Sequence, residues 1–303
     1  MPRRVTVTGA TGFIGSRVVA ALRARGDEVT VLSRNPARAR ETLGDVEAVA
    51  WRPEDEPAPA EALAGRDGVV NLVGEKVDQR WTPEARRAIR ESRVRGTTHL
   101  VAGLRDADPR PRVLVGGSAV GYYGARGEER VDESFPPGDD FLADVVCAWE
   151  RATDGAEELG MRVVKVRTGV VLERRGGALK RMLLPFRLGL GGPIASGRQY
   201  LPWIHVEDEV GILLAALDGD GWSGPVNATA PEPATSRDFG RALGRALRRP
   251  AVLPLPGAAL RLAFGEMSMV LTTGQRVVPA RALELGYRFR HPELDGALRV
   301  ALG

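Results

Sequence analysis

The residues most suggestive of chemistry stand near the amino terminus. Thr8-Gly9-Ala10-Thr11-Gly12-Phe13-Ile14-Gly15 joins the β-branched run "RVTVTG" (4–9) to the amphipathic segment "FIGSRVVAALRARG" (13–26). Gly9 suits a tight turn, Gly12 lets the backbone approach a diphosphate, and Gly15 lets a helix pack closely on its strand. Free N–H groups and positive dipole at the helix start, around Thr11, Phe13 and Ile14, attract phosphate oxygens. The turn sits between a strand and a helix, which makes it a dinucleotide cradle rather than a lone glycine triplet.

The end of the second strand, "EVTVLSR" (28–34), selects the dinucleotide. A site for NAD places an acid there, on the ribose 2′-hydroxyl. This chain has Ser33 and Arg34, with Arg38 one helical turn further on. Asp27 and Glu28 precede the strand, at its wrong end. A 2′-phosphate suits an arginine and a hydroxyl. Two charge-assisted bonds of roughly 1.5–3 kcal/mol each favour NADP about a hundredfold or more. NADP is the expected cofactor.

Those residues need a scaffold, and the first half of the chain supplies one. Ile14, Val18 and Leu22 share a helical face that stops at Gly26. "GVVNLVG" (68–74), "RVLVGGS" (112–118) and "RVVKVRTGVVL" (162–172) read as further strands. Thr82 and Pro83 suit the N-cap and first turn of a helix reaching about Leu104, and a second helix spans 140–159, ended by Gly160. Strand–helix alternation predicts a doubly wound parallel α/β sheet of Rossmann type. "PEDEPAPAEA" (53–62) reads as a Pro-broken surface loop. Beyond Leu172 the pattern turns Gly-rich, and "YLPWIHVEDEVGILLAAL" reads as a strand and helix returning to the sheet. The expected division is 1–172 plus 203–222 for the dinucleotide domain, with 173–202 plus 223–303 as a smaller capping lobe.

Composition removes several function classes. There is no run of about 18 apolar residues, so no membrane helix is expected. The start of the chain shows no apolar signal segment, and the one cysteine, Cys147, fits a reducing, cytoplasmic setting. The net charge of +4 is dispersed among acids, and aromatics are only 5%, so no nucleic-acid surface is expected. No His/Cys/Asp spacing indicates a metal. A monomer or homodimer is compatible with the sequence.

Taken together, "TGATGFIG", "SRNP", "NLVGE" (71–75), "RWT" (80–82), "SRVRGT" (92–97), "GSAVGYYG" (117–124), "DFLADVVCAWE" (140–150), "RTGVVL" (167–172), "LGGPIASGRQ" (190–199) and "WIHVEDEV" (203–210) resemble the extended short-chain dehydrogenase/reductase superfamily. More narrowly they resemble its atypical epimerase-family subgroup, whose own C-terminal domain is similar to 264–289. The resemblance spans nearly the whole chain. It implies cofactor contacts at Leu72, Val73, Gly74, Glu75, Arg95, Arg167, Gly169 and Val170. It also implies a small carbonyl, polyol or sugar-type substrate.

The chain departs from the superfamily where the proton chemistry should be. Catalytic members follow the strand at 112–117 with a Ser or Thr, then use a Tyr with a Lys four residues later, whose ammonium favours phenolate. Ser118 matches the first position. Counting back from Glu150 puts Val146 at the Lys position and Leu142 at the Tyr position; a one-residue slip gives Val145 and Phe141. None can titrate, and Phe141, Val145 and Trp149 read as core at helical spacing. Tyr123, or Tyr122 beside it, is the remaining phenol for the proton. Arg198, Gln199 and His205 are candidate substrate anchors. Two functions stay open: an NADP(H)-dependent oxidoreductase or epimerase, and a slow or inactive NADP(H)-binding sensor module.

Overall fold

Alternation along the first strand decides how the sheet is covered. Val5 and Val7 face one helical layer, while the buried Thr6 and Thr8 lie on the other face. The computed structural model describes residues 2–303. Seven parallel strands form one sheet: β1 (Arg4–Thr8), β2 (Glu28–Ser33), β3 (Glu47–Ala50), β4 (Gly68–Asn71), β5 (Val113–Ala119), β6 (Arg162–Thr168) and β7 (Gly224–Ala228). Their order is β3-β2-β1-β4-β5-β6-β7. Val7 stands opposite both Val31 and Val70. The order reverses between β1 and β4, where an open α/β sheet leaves a crevice at its carboxyl ends.

Helices cover both faces. α1 (Phe13–Ala24) and α6 (Val206–Asp218) bury Val18, Leu22, Ile212 and Leu213 against Val5, Val7, Val29 and Val70. α3 (Pro83–Asp106) buries Leu100 and Leu104 against Leu32, Val69, Leu114 and Val163. Each such side chain contributes about 1.5–3 kcal/mol on leaving water. Thr82 caps α3 as the sequence predicts, accepting from the Ala85 N–H, and Asn35 accepts from the Arg38 N–H to begin α2 (Pro36–Leu43).

Three sequence expectations are corrected. The run 162–172 is not one strand: it breaks at Gly169, and Val170–Leu172 pairs instead with Trp203–His205. A Cβ on Gly169 would lie 2.4 Å from the Pro202 carbonyl oxygen, so only glycine lets that chain cross. The strand Gly224–Ala228, expected in the capping lobe, is the sheet edge beside β6. The helix predicted over 140–159 ends earlier: α4 covers Phe141–Asp154, and a 3₁₀ turn (Glu157–Leu159) leads to left-handed Gly160.

The C-terminal lobe has its own core. Leu179, Leu183 and Phe186 of α5 (Gly177–Arg187) pack with Trp203, with Phe239 and Leu243 of α7 (Ser236–Leu247), and with Leu298. The lobe meets the glycine turn through Phe13: a Cβ on Gly176 would lie 2.4 Å from that ring. Among the described residues no helix is long and apolar enough to cross a membrane.

Candidate functional site

Gly9 shows why the first turn must be glycine. Its φ is +63°, and a Cβ there would lie 2.4 Å from the Leu72 carbonyl oxygen. A Cβ on Gly15 would lie 2.3 Å from the Gly9 oxygen, so α1 could not start where it does. The turn forms one wall of a cleft. Ser33, Arg34, Trp51, Pro53, Leu72, Val73, Gly74, Glu75 and Ser92 complete it. A Cβ on Gly12, at the start of α1, would meet only the Gly9 oxygen, at 3.0 Å, so the turn is otherwise open there, and this fits a dinucleotide's diphosphate.

A buried hydrogen-bond chain fixes the cradle to the helices behind it. The Thr8 hydroxyl donates to Asn71 Oδ1 at 2.6 Å, and Asn71 Nδ2 donates to Thr97 Oγ1 at 3.0 Å. Trp149 Nε1 donates to the same Thr97 oxygen at 3.0 Å. The indole also rests on Gly117, where a Cβ would lie 3.2 Å from the ring. Trp149 is thus a packing residue, as its helical spacing predicts.

At the end of β2, Arg34 and Arg38 are exposed, and Ser33 Oγ accepts from the Asn35 N–H at 3.2 Å. Arg34 shares a second hollow with Arg52, Pro53, Glu54 and Asp55. Arg52 is a cation that sequence reasoning missed. It stands between β3, whose short "EAVA" carries no strand signal, and the Pro-broken loop at 53–62, so nothing in the sequence ties it to the end of β2.

Where the proton chemistry should be, the structure holds a buried polar network. Arg167 donates from Nε and Nη2 to the two oxygens of Glu150, each at 2.8 Å. Ser118 Oγ donates to Glu150 Oε1 at 2.6 Å. Arg167 Nη1 donates to the Tyr123 hydroxyl at 2.9 Å, and that hydroxyl donates to Asn227 Oδ1 at 2.7 Å. Tyr123 is fully buried, and burial pushes its phenol up to about 12 despite the opposing Arg167 and Asn227. Tyr122 differs. It is half-buried, and the Arg167 guanidinium carbon lies 3.5 Å from its ring centroid. Gly121 before it packs on Leu142, with Val146 also within reach, so the superfamily's Tyr and Lys positions are an apolar floor beneath the turn.

Several sequence-predicted site residues are not among those that line this cleft. Arg167 spends its donors on Glu150 and Tyr123, so it is not a free cofactor ligand. Arg95 is exposed on α3. Gly169 and Val170 serve the chain crossing at Pro202 and the ladder to Trp203. Gln199 is buried and donates to the carbonyls of Ile194 and Leu271, which holds the lobe's loop together. Arg198 is exposed. His205 caps α6, its Nδ1 accepting from the Glu207 N–H, and it faces His291 with ring centroids 4.0 Å apart. It lines a different hollow, with Arg17, Glu173 and Arg290.

Glu209, in the first turn of α6, is fully buried; its Oε1 accepts from Thr168 at 2.7 Å and its Oε2 has no partner. Burial pushes its carboxyl up to about 8 from an ordinary 4.5. The folded state therefore keeps a proton that the unfolded chain loses. The stabilisation is complete below pH 4.5 and is lost as pH rises towards about 8. The slope is about 1 kcal/mol per pH unit. His205, whose burial lowers its pKa, acts with the opposite sign. Urea unfolding of wild type and Glu209→Gln across that range should show the variant without Glu209's falling limb; parallel curves would contradict it.

Comparison with known proteins agrees with this geometry. The sequence model of the NAD dependent epimerase/dehydratase family matches residues 5–227, and that of a domain of unknown function (DUF1731) matches 255–301. The chain is 42% identical to human "Epimerase family protein SDR39U1" over 301 residues, covering 98% of each. It is 38% identical to Bacillus subtilis "Epimerase family protein YfhF" over 296 residues, covering 97% of this chain and 96% of the relative. A crystal structure of the human protein (isoform 2) with NADPH superposes with a TM-score of 0.88 at 39% identity, over 99% of both chains. A nucleoside-diphosphate sugar epimerase from Corynebacterium glutamicum gives 0.80 at 32% identity, over all of this chain and 59% of that one.

Proposed function

The chain belongs to the NAD dependent epimerase/dehydratase family, and from that membership we propose that it is an NADP(H)-dependent oxidoreductase or epimerase acting on a small carbonyl, polyol or sugar-type substrate. The observation that carries the reading is the cleft itself: a glycine cradle at the sheet's reversal point, continuous with Ser33 and Arg34, and no acid at the end of β2. The NADPH in the human relative's crystal structure supports the same cofactor here. Gly12, in the turn that Gly9 and Gly15 make possible, would admit the diphosphate, and Ser33, Arg34 and Arg52 would face the 2′-phosphate. A bound nicotinamide supplies or accepts hydride.

The chain's own residues must handle the proton. Tyr122 is the phenol left for it, because Tyr123 is sealed and committed to Asn227. The Arg167 guanidinium, which Glu150 holds in place, lies against the Tyr122 ring and would orient it. Ser118 spends its proton on Glu150, so towards a ligand it can only accept. A substrate hydroxyl fits that polarity. A cytoplasmic setting accords with the single cysteine.

A specific observation also favours the sensor reading: Leu142 and Val146 leave no ionisable pair on α4. Both readings require the cofactor. Calorimetric titration with NADPH and NADH tests it. Arg34→Ala should weaken NADPH about tenfold or more, the worth of a charge-assisted bond, and change NADH far less. Equal loss for both nucleotides, or binding of neither by wild type, would overturn the assignment.

A further inference from the structure

Arg93, within the "SRVRGT" stretch, is a cation to which neither the cofactor contacts implied above nor the network at Ser118 gives a role. Its side chain is largely buried on the inner face of α3. Its guanidinium lies flat on Gly74, where a Cβ would come within 3.0 Å of its central carbon. Its central carbon also stands 5.2 Å from the centre of the Trp149 ring. Nη1 donates to its own helix, at the Ile89 carbonyl. No carboxylate among the described residues pairs with it within 4.0 Å; Glu75 is the acid that acts on it from further away. Desolvation lowers its pKa to about 10. A buried guanidinium without a counter-ion is costly to keep unless something pairs with it. Nε and Nη2 have no partner among the described residues and are not sealed off, and the guanidinium adjoins Gly74 and follows Ser92 on α3, two residues that line the cleft.

Trp149 stands one helical turn beyond Val146, the position where the superfamily carries its lysine. Arg93 therefore brings a positive charge from α3 to the neighbourhood from which α4 has lost one.

We propose that Arg93 is a receptor for a phosphate-type anion at the inner end of the cleft, completing the site that the glycine turn begins. The proposal rests on the cofactor reading above for its first source, the dinucleotide's diphosphate; an anionic group of the substrate is the second source with the same chemistry. Arginine suits either, because its planar fork gives two parallel donors to one anion.

Calorimetry on the full chain separates the sources. With Arg93→Gln, NADPH should weaken about tenfold or more, while adenosine 2′,5′-bisphosphate, which lacks the diphosphate bridge, should bind as to wild type. Arg93→Lys, which keeps charge without the fork, should fall between. If NADPH is unaffected but inorganic pyrophosphate binds the NADPH-saturated wild type and not Arg93→Gln, the anion is the substrate's. Folded Arg93→Gln that binds NADPH and pyrophosphate like wild type overturns the proposal. If wild type binds neither NADPH nor the bisphosphate, the cofactor reading fails, and loss of pyrophosphate binding in Arg93→Gln still decides Arg93.

Discussion

Arg167→Met is expected to cost about 3–5 kcal/mol of folding stability, read as a lower urea midpoint with unchanged slope. The size follows from what is left behind. Glu150 would be stranded as a buried carboxylate, since both its oxygens take charge-assisted bonds from this one guanidinium. Tyr123 would lose a donor in full burial. The pair itself need not be a large net stabiliser, because two charges were desolvated to make it. Its removal in one piece is therefore the informative control: Arg167→Met with Glu150→Leu should recover a good part of the loss. A single variant as stable as wild type would mean that the network contributes nothing to holding β5, β6 and α4 together.

Tyr122→Phe is expected to lower turnover by about 10²–10⁴, the usual worth of a positioned acid–base group, with stability within about 1 kcal/mol of wild type. Tyr123→Phe should do the reverse. It leaves Asn227 Oδ1 and an Arg167 N–H unsatisfied in a sealed site, which costs about 1–3 kcal/mol of stability. Any fall in its turnover should be small. The two phenols are adjacent in sequence, and their rings meet edge to face at 5.3 Å. Only burial and partners separate them. Equal losses of turnover in both variants would remove the distinction on which the proton assignment rests.

What the sequence revealed, and what it hid, follows from the range of the forces involved. The cradle was legible because its requirements are local: Gly9, Gly12 and Gly15 answer to the turn and to the first helix. The Ser33–Arg34 signal was legible because it depends on one strand end. Arg93 was not, since it acquires meaning only when Gly74, from the loop after β4, and Trp149, from α4, come beside it. Gly169 looked like a strand residue until Pro202 crossed it. His205 and Gln199 looked like site residues because polar side chains in Gly-rich or motif-like loops resemble ligands. Their hydrogen bonds instead go to the helix start and to two carbonyls of the lobe. Tyr122 and Tyr123 could not be ranked from sequence, because the choice depends on which phenol β7 covers through Asn227.

The central claim is that hydride leaves or enters a nicotinamide held in this cleft. The most direct measurement follows NADPH absorbance when wild-type protein meets a panel of small carbonyl, polyol-derived and sugar-type compounds. At least one compound is expected to speed NADPH loss or to be epimerised by the NADP-loaded protein, and Tyr122→Phe to suppress that turnover while still binding NADPH. Tight NADPH binding with no compound-dependent NADPH loss, and with no compound of the panel epimerised by the NADP-loaded protein, would contradict it and leave the sensor module as the standing description.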